Sequence, residues 1–326
     1  MMKTKDKVLK LLQKHGQLSV HELSILLKVS RQYIHRILLE LEEDNSIVKI
    51  GISPKVFYKI NASQIENQLF TVDYEKEQFL KKHFLVIDAL GNMLEGLDGM
   101  IYWCEKQQLN VEKTINEYIL TRNKYLQYYN NNSLINGIEK LKKTKGINQI
   151  GVDELYYLDF YAIERFGKTR LGTLMHYAKQ GQSRQLMKLI VSEIKQRIYK
   201  IIKDENIDAV VYVPPTISRK VQIMTELKKM LNIDLPEVKV DKIKTSIIIP
   251  QKALSKIFER IANAKNTFIV PQQRKYKHIL IIDDAIGSGA TINEIAIKIK
   301  EKKIAKKITG LAITGSYKGF EVISEI

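Results

Sequence analysis

The sequence is poor in the residues that make disulfides and hold zinc, since it contains a single cysteine, Cys104. One cysteine excludes an intramolecular disulfide and a multi-cysteine zinc site, and it fits a reducing compartment. No apolar run approaches the ~20 residues that a helix needs to cross a bilayer. We therefore expect a cytoplasmic protein that does not bind membranes. Hydrophobic residues make up 44% of the 326 positions, which supports packed cores and two or three domains.

Acidic residues are also in short supply, and the formal net charge is +17 at pH 7. Residues 1–60 carry 11 Lys and Arg against 6 Asp and Glu, residues 61–150 carry 11 against 11, and residues 151–326 carry 31 against 19. Such an excess favours polyanionic partners, either nucleic acid or phosphorylated metabolites. Because a composition rich in Lys, Ile and Asn can also reflect genome bias, charge alone decides little.

The most informative stretch, residues 278–291, predicts a buried strand, a tight glycine loop and a helix start. Residues 279–282 are four β-favouring apolar residues in a row, as in a central parallel strand covered on both faces. From Thr291 isoleucines recur at helical spacing, so the loop ends at a helix N-terminus, which is a site for a phosphate. Two common phosphate loops are excluded, because no third glycine follows Gly287 and Gly289 at the required spacing and no Gly-Lys-Ser/Thr is present.

An acidic pair, Asp283 and Asp284, stands at the predicted carboxyl end of that strand, where open α/β sheets bind ligands. An apolar strand, two Asp, two further residues and a Gly/Ser/Thr loop resembles the phosphoribosyl diphosphate (PRPP) signature of the type I phosphoribosyltransferases. The resemblance implies that the two acids hold the ribose 2′- and 3′-hydroxyls. It also implies a loop that holds the 5′-phosphate, made of Ala285, Ile286, Gly287, Ser288, Gly289, Ala290 and Thr291. Gly287 stands where that family commonly has a threonine, and an ordinary strand-to-helix turn with exposed acids is the alternative.

Residues 1–60 carry start and stop signals for three helices. The first covers residues 4–14, and Ser19 with Glu22 has the spacing of a capping box at the start of the second. Ser30 is the predicted N-cap of the third, which runs over residues 31–43. Its predicted inward residues are Ile34, Ile37, Leu38 and Leu41. Its predicted outward face carries Arg31, Gln32, Tyr33, His35 and Arg36.

Two β-like runs, residues 46–50 and 56–60, follow and are joined by a predicted turn at 51–54. Three helices and a β-hairpin resemble the winged helix-turn-helix domains of bacterial regulators. In such domains the third helix enters the major groove of the nucleic acid and the wing touches phosphates. The resemblance implies contacts from the outward face of the third helix and from Lys49 and Lys55 of the wing. Winged helices also serve in protein docking or dimerisation, and this alternative stays open.

Residues 61–150 show helical spacing but no residue pattern with recognisable chemistry. We interpret them as a helical connector that dimerises the protein or grips a partner, and we expect a homo-oligomer. Plain core packing explains the aromatic residues of this region. Four lysines close it and are predicted to form a solvated face: Lys140, Lys142, Lys143 and Lys145.

Beyond Gly151 the chain resembles the competence-protein F (ComF-type) phosphoribosyltransferase domain. Residues 157–184 resemble the first part of that domain, and the resemblance as a whole covers about residues 153–318. It is strongest where the order of residues follows the family: Thr245, Gln251, Leu254, Ser255, Glu259, Arg260, Asn263 and Phe268 to Val270. We therefore predict a multidomain α and α/β protein with a winged helix-turn-helix at 1–60, the connector at 61–150, and a phosphoribosyltransferase-like α/β domain with a mostly parallel sheet at 151–326.

In that family, the loop that follows one of the strands faces the diphosphate of PRPP. The corresponding strand here is predicted at residues 209–213. The corresponding loop carries Pro214 and Pro215, with Arg219 and Lys220 near enough in sequence to add charge. Three basic residues are candidates for a hood over the substrate: Lys252, Lys256 and Arg260. The family's Arg-Gly-Phe-Asn-Gln run is replaced here, which leaves the second substrate open, and its four-cysteine zinc module is replaced by the winged helix.

Phosphoribosyl transfer displaces diphosphate from ribose C1 through a transition state with oxocarbenium character, so the protein mainly positions and stabilises charge. Mg²⁺ is the implied cofactor, bound to the diphosphate and the ribose hydroxyls with no direct protein ligand.

Three hypotheses remain: a transferase or nucleotide-cleaving effector held to DNA or RNA–DNA, a transcription factor that senses PRPP and resembles the purine repressor in domain order, and an assembly protein. The pairing of domains also resembles accessory proteins of bacterial retrons, whose partner is a reverse transcriptase with a branched RNA–DNA molecule. We favour the effector.

Overall fold

The computed structural model describes residues 4–61, 72–243, 257–271 and 274–316. The contacts divide the chain into two compact units, of which the first comprises residues 1–82 and 86–114 and the second residues 83–85 and 115–326. No helix in the described ranges is long and apolar enough to cross a membrane.

Three helices and a hairpin open the first unit, as predicted. They are α1 (Thr4–His15), α2 (Val20–Leu27), α3 (Arg31–Glu43), β1 (Ile47–Ile52) and β2 (Lys55–Ile60). The capping box is confirmed, because Glu22 N donates to Ser19 Oγ at 3.3 Å and Ser19 N donates to Glu22 Oε2 at 2.7 Å. The N-cap of α3 is confirmed as well, since Tyr33 N donates to Ser30 Oγ at 3.2 Å. Each side chain satisfies a backbone N–H that the helix cannot.

The four predicted inward residues of α3 are buried, in a core with Val8 and Leu12 of α1 and Leu23 of α2. The wing is longer and its turn tighter than predicted. β1 and β2 pair antiparallel from Ile47 opposite Ile60 to Ile52 opposite Lys55. Only residues 53 and 54 remain between the strands, because Gly51 takes a positive φ of +88° and a Cβ there would lie 2.3 Å from the Lys55 carbonyl oxygen.

The helices predicted for the connector are present, together with short strands that helical spacing did not indicate. The elements are α4 (Tyr74–His83), β3 (Leu85–Ile87), β4 (Met93–Glu95), α5 (Gly96–Gln107) and α6 (Val111–Leu126), then β5 (Ile135–Asn136) and α7 (Ile138–Lys143). β5 pairs antiparallel with the next strand along the chain, so this part of the predicted connector contributes to the large sheet.

The remaining elements build an α/β layer structure. They are β6 (Glu154–Phe160), α8 (Arg170–Gln180), α9 (Arg184–Asp204), β7 (Ala209–Tyr212), α10 (Ile223–Leu231), β8 (Asp241–Lys242), α11 (Ile257–Thr267), β9 (Phe268–Ile269), β10 (Tyr276–Ile286), α12 (Ala290–Glu301) and β11 (Ala305–Gly315). The five-stranded sheet has the order β5-β6-β11-β10-β7. β6, β11, β10 and β7 are parallel, which confirms the mostly parallel sheet.

Strand β10 lies between β11 and β7, and residues 279–282 are fully buried as predicted. The strand is longer than its apolar run. Pairing with β11 continues through Ala285 opposite Thr314 and Ile286 opposite Gly315. The acidic pair lies near the carboxyl end of the strand, as predicted, but Ala285 and Ile286, predicted for the loop, belong to the strand. Helix α12 begins at Ala290, one residue before the predicted start.

A buried ion pair ties α6 to β6. The Arg122 guanidinium donates to both carboxylate oxygens of Asp159, at 2.9 and 3.1 Å, and the two residues are only 4% and 7% exposed. Asp159 also accepts from the Tyr129 hydroxyl and, at 2.7 Å, from Phe160 N. Burial disfavours the Arg122 cation, but the Asp159 carboxylate outweighs it and the pKa of Arg122 is raised. Burial and then Asp159 raise the pKa of Tyr129, so its hydroxyl keeps its proton.

Removing one partner of this pair should destabilise the second unit. Arg122→Leu leaves the Asp159 carboxylate buried without its cation, for which we expect a loss of about 3–5 kcal/mol in the free energy of unfolding. Lys124→Gln on the same helix is the control, because Lys124 and its partner Glu164 are 61% and 43% exposed and should matter by less than about 1 kcal/mol. Thermal and urea unfolding measure both, and equal effects would contradict a structural role for the buried pair.

Candidate functional site

The acidic pair and the glycine loop meet at the carboxyl end of β10. Residues 287–289 turn the chain from β10 into α12, and Gly289 takes a φ of +80° that a side chain would strain. The turn is closed by Ala290 N, which donates to Ser288 Oγ at 3.4 Å, and by Asn293 N, which donates to Gly289 O at 3.0 Å. The first backbone N–H groups of α12 thus lie at the sheet edge where parallel sheets bind ligands, and they favour an anion there.

Asp283 and Asp284 stand side by side in a largely buried position. Asp284 N donates to Asp283 Oδ1 at 2.8 Å, which fixes the first carboxylate against the backbone of the second. Burial, followed by the charge of Asp284, raises the pKa of Asp283 to about 7. An empty site therefore disfavours two negative charges at this point, and hydrogen-bond donors from a ligand would relieve the cost.

Two lysines that sequence reasoning missed flank the pair. Lys179, near the end of α8, forms an ion pair with Asp284, whose side chain is 14% exposed. Burial opposes the Lys179 cation, but Asp284 outweighs burial and the pKa of Lys179 is raised. Lys242, in β8, donates to Thr216 Oγ1 at 3.0 Å. Burial lowers the pKa of Lys242 while the charge of Asp283 acts to raise it, so this lysine acts electrostatically on the first acid.

The loop predicted to face a diphosphate starts beside the acidic pair. Val213 N donates to Ile282 O at 3.0 Å, and Pro214 and Pro215 follow directly. Arg219 donates to the Lys179 carbonyl oxygen and, at 3.3 Å, to Gln180 Oε1, which ties the loop to the end of α8. Lys220 is exposed. The structure thus brings the acids and this loop to one sheet edge, while the binding of a diphosphate stays a prediction.

The predicted hood is only partly within the described chain. Lys252 and Lys256 lie outside the described residues. Arg260 lies half-buried on α11, a helix that packs against α12, and burial lowers its pKa. Its role as a substrate contact stays a prediction.

The pair of carboxylates suits Mg²⁺ as a ligand-borne ion. Carboxylate oxygen is the donor that Mg²⁺ prefers, and Mg²⁺ commonly uses one or two carboxylates with substrate phosphates. Within the described ranges, no group of three or more His, Cys, Asp or Glu residues could hold a metal ion. The Mg²⁺ implied by the resemblance would be carried by the diphosphate and the ribose hydroxyls without a direct protein ligand, so Asp283 and Asp284 would act on it through the ribose, and the ion stays a prediction.

The outward face of α3 is presented as predicted, with all five of its named residues exposed: Arg31, Gln32, Tyr33, His35 and Arg36. Arg31 Nη2 donates to His21 Nδ1 at 2.6 Å, and since a guanidinium only donates, the His21 hydrogen is on Nε2. The Arg36 guanidinium lies 5.1 Å from the centre of the Tyr33 ring. Lys49 and Lys55 are exposed on the wing, whose Ile52 is 87% exposed at the tip.

The sequence of this domain agrees with its fold. Residues 3–48 match the family of winged helix-turn-helix DNA-binding domains. The chain carries an N-terminal winged helix-turn-helix domain. The match covers all three helices and the start of β1 and supports nucleic-acid binding by this domain. Contacts from the outward face of α3 and from Lys49 and Lys55 of the wing stay a prediction. No curated protein matches the chain.

Phosphate contacts by this domain should show in the salt dependence of binding. Neutralising Arg31, Arg36 and Lys55 together should weaken DNA binding and reduce the slope of log K against log salt by about 2 to 3, because each phosphate contact releases counterions. The control removes the same number of charges from α1, by neutralising Lys7, Lys10 and Lys14. These three lysines are exposed and belong neither to α3 nor to the wing. Salt titrations of a labelled duplex measure both slopes, and equal slopes in the two triple variants would favour a protein-docking role.

The raised pKa of Asp283 predicts a pH-dependent stability. Burial and then the charge of Asp284 raise its pKa in the folded state to about 7, well above the ordinary value of an aspartate, so the folded state binds the proton more tightly. The contribution of Asp283 to stability is therefore present at low pH and is lost as pH rises from about 4 through 7. Asp283→Asn should be more stable than wild type at pH 8, and the difference should shrink at pH 5. Melting curves test this, with exposed Asp234→Asn as the control; a difference that does not change with pH would contradict it.

Proposed function

We propose that the protein couples nucleic-acid binding by its winged helix to recognition of a phosphorylated ribose ligand, PRPP or a ribose 5-phosphate nucleotide, at the carboxyl edge of its sheet. The observation that carries this proposal is the acidic pair on the central parallel strand, directly followed by a glycine loop at a helix N-terminus. Acids and an anion site in immediate succession suit a molecule that has hydroxyls at one end and a phosphate at the other.

Asp283 and Asp284 would accept hydrogen bonds from the ribose 2′- and 3′-hydroxyls. The backbone N–H groups at Gly287 to Thr291, with the Ser288 and Thr291 hydroxyls, would hold the 5′-phosphate. The ion pair with Lys179 would fix the Asp284 carboxylate before a ligand arrives. Binding would then cost little side-chain entropy at this residue. The loop of Pro214, Pro215, Arg219 and Lys220 would face the diphosphate.

In the enzyme that we favour, these residues position the ribose so that C1 is open to an acceptor, and they hold the charge of the leaving diphosphate. Mg²⁺ carried by the diphosphate would supply charge stabilisation to the leaving group. With PRPP, the bond from C1 to the diphosphate oxygen would break, a bond from C1 to the acceptor would form, and diphosphate would leave. With a nucleotide, the C1–base bond would break instead, with diphosphate or water as the acceptor and the base leaving. Nucleic-acid binding would control the activity. A reverse transcriptase with branched RNA–DNA, in a homo-oligomeric assembly, is the partner that the resemblance to retron accessory proteins suggests.

A transcription factor that senses PRPP is the second candidate, and the DNA-binding family match favours it. Such a sensor needs the same acids and the same loop, so the site cannot separate the two candidates. Turnover separates them, because a sensor binds PRPP and changes its DNA affinity but returns the ligand intact.

The direct test incubates the protein with PRPP and Mg²⁺, with and without nucleotide mixtures, and follows the small molecules by mass spectrometry. Wild type should show a ligand-dependent rise in melting temperature, since a ligand at 100 times its Kd adds about 2.7 kcal/mol. Asp283→Asn with Asp284→Asn should lose that rise, while Asp234→Asn with Asp241→Asn, an exposed pair, should keep it. Wild type that neither shifts nor turns over any ribose phosphate would refute ligand binding.

A further inference from the structure

One lysine of the predicted solvated face lies instead beside the glycine loop. Lys142, Lys143 and Lys145 are exposed, but Lys140 is largely buried, so the prediction for Lys140 was wrong. Its ammonium donates to the carbonyl oxygen of Ser316 and, at 2.8 Å, to Ser316 Oγ. Helix α7 has only six residues, and it packs on β6 with Lys140 on the side that faces the end of β11.

Two contacts place this helix against the loop between β10 and α12. Ser316 N donates to the carbonyl oxygen of Ile286 at 3.1 Å, so the residue that Lys140 holds is bonded to the last residue before the loop. Leu141, next in sequence, lies against Gly289, where an added Cβ would be 2.8 Å from Leu141 Cδ1. Lys140 and Leu141 therefore border the loop from the side of β11, opposite to the side of β7.

The charge of Lys140 has no acid to balance it among the described residues. Glu139 on the same helix is exposed and pairs with Lys142 at 3.0 Å. Burial lowers the pKa of Lys140 to about 8. A buried ammonium is costly unless an anion meets it, and two hydrogen bonds to Ser316 leave one of its three N–H donors available.

We infer that Lys140 is a further ligand-binding residue, which contributes a cation to the phosphate held at the glycine loop. This inference rests on the proposed ligand site and deepens it. Backbone N–H groups alone accept many anions. A buried cation beside them favours the doubly charged phosphate monoester of a ribose 5-phosphate, and it gives no such advantage to an uncharged nucleoside. The cation comes from a segment that precedes the parallel part of the sheet.

The experiment measures binding of ribose 5-phosphate and of PRPP with Mg²⁺ by calorimetry in the full-length chain. Lys140→Met should weaken both affinities by about tenfold or more, as expected for the loss of a charged hydrogen bond. It should leave the melting temperature unchanged or raised, because it removes a buried charge that has no acid. Lys143→Gln, an exposed change on the same helix, should alter affinity less than twofold, and Lys140→Arg, which keeps the charge, should recover most of it.

Proton uptake gives a readout that a purely structural lysine would not move. The titratable groups of α7 besides Lys140 are Glu139, Lys142 and Lys143, and those of β6, on which α7 packs, are Glu154, Tyr156, Tyr157 and Asp159. Asp283 and Asp284 stand near the end of β10. Tyr157 keeps its proton because burial raises its pKa. Burial lowers the pKa of Lys140 to about 8, so at pH 8.5 part of the Lys140 population is deprotonated. Binding of ribose 5-phosphate should then take up a measurable fraction of a proton in wild type and none in Lys140→Met.

The outcomes separate this inference from the proposed function. Wild type that binds ribose 5-phosphate while Lys140→Met and Lys143→Gln bind it equally well would overturn the role of Lys140 and leave the site intact. A lower melting temperature in Lys140→Met with unchanged affinity would make Lys140 a structural tie to Ser316. Wild type that binds neither ribose phosphate would overturn both.

Discussion

Burial of β10 on both faces is the constraint that sets the position of everything at the ligand edge. Its four apolar residues lie inside the sheet, and β7 pairs with the strand only as far as Ile282 opposite Tyr212. Beyond that point β10 continues with one neighbour, β11. Asp283 is thus the first residue at which the strand no longer pairs with β7. The core that fixes the strand also makes the acid costly to ionise, which is why burial is the leading cause of its raised pKa.

Cations from three separate elements gather around this edge. Lys179 comes from α8, Lys242 from β8 and Lys140 from α7. The first two act on the acids, and the third borders the loop. Part of the Lys and Arg excess of the chain therefore lies around one small part of the structure, where positive charge complements the two carboxylates. The excess in residues 1–60 comes from the lysines of α1 and of the wing, whereas α3 places Arg31 and Arg36 on its outward face and three glutamates towards its end.

Features set by local rules could be predicted from the sequence. The capping box at Ser19, the N-cap at Ser30 and the inward face of α3 follow from side-chain chemistry and helical spacing within one or two turns. The buried run of β10 and the start of α12 follow in the same way, to within one residue for the helix. The winged helix could be predicted as a whole because each of its elements follows from such local signals.

Features that depend on tertiary packing could not be predicted. Lys179 meets Asp284 across 105 positions of sequence, and no pattern links them. Lys140 shares a helix of six residues with two exposed lysines, and so short a helix gives no periodicity that says which lysine points inward. β5 has two residues and exists because β6 offers an edge to pair with. The length of β10 beyond its apolar run depends likewise on β11.

The central claim is that the edge formed by Asp283, Asp284 and the glycine loop binds a ribose phosphate. Hydrogen exchange of the full-length chain, with and without ribose 5-phosphate, tests it most directly, because the ligand would accept hydrogen bonds from backbone N–H groups of the glycine loop. The account predicts slower exchange at residues 287–291 in wild type and no such slowing in Asp283→Asn with Asp284→Asn. Unchanged exchange at 287–291 at saturating ligand, or protection confined to another part of the chain, would contradict it.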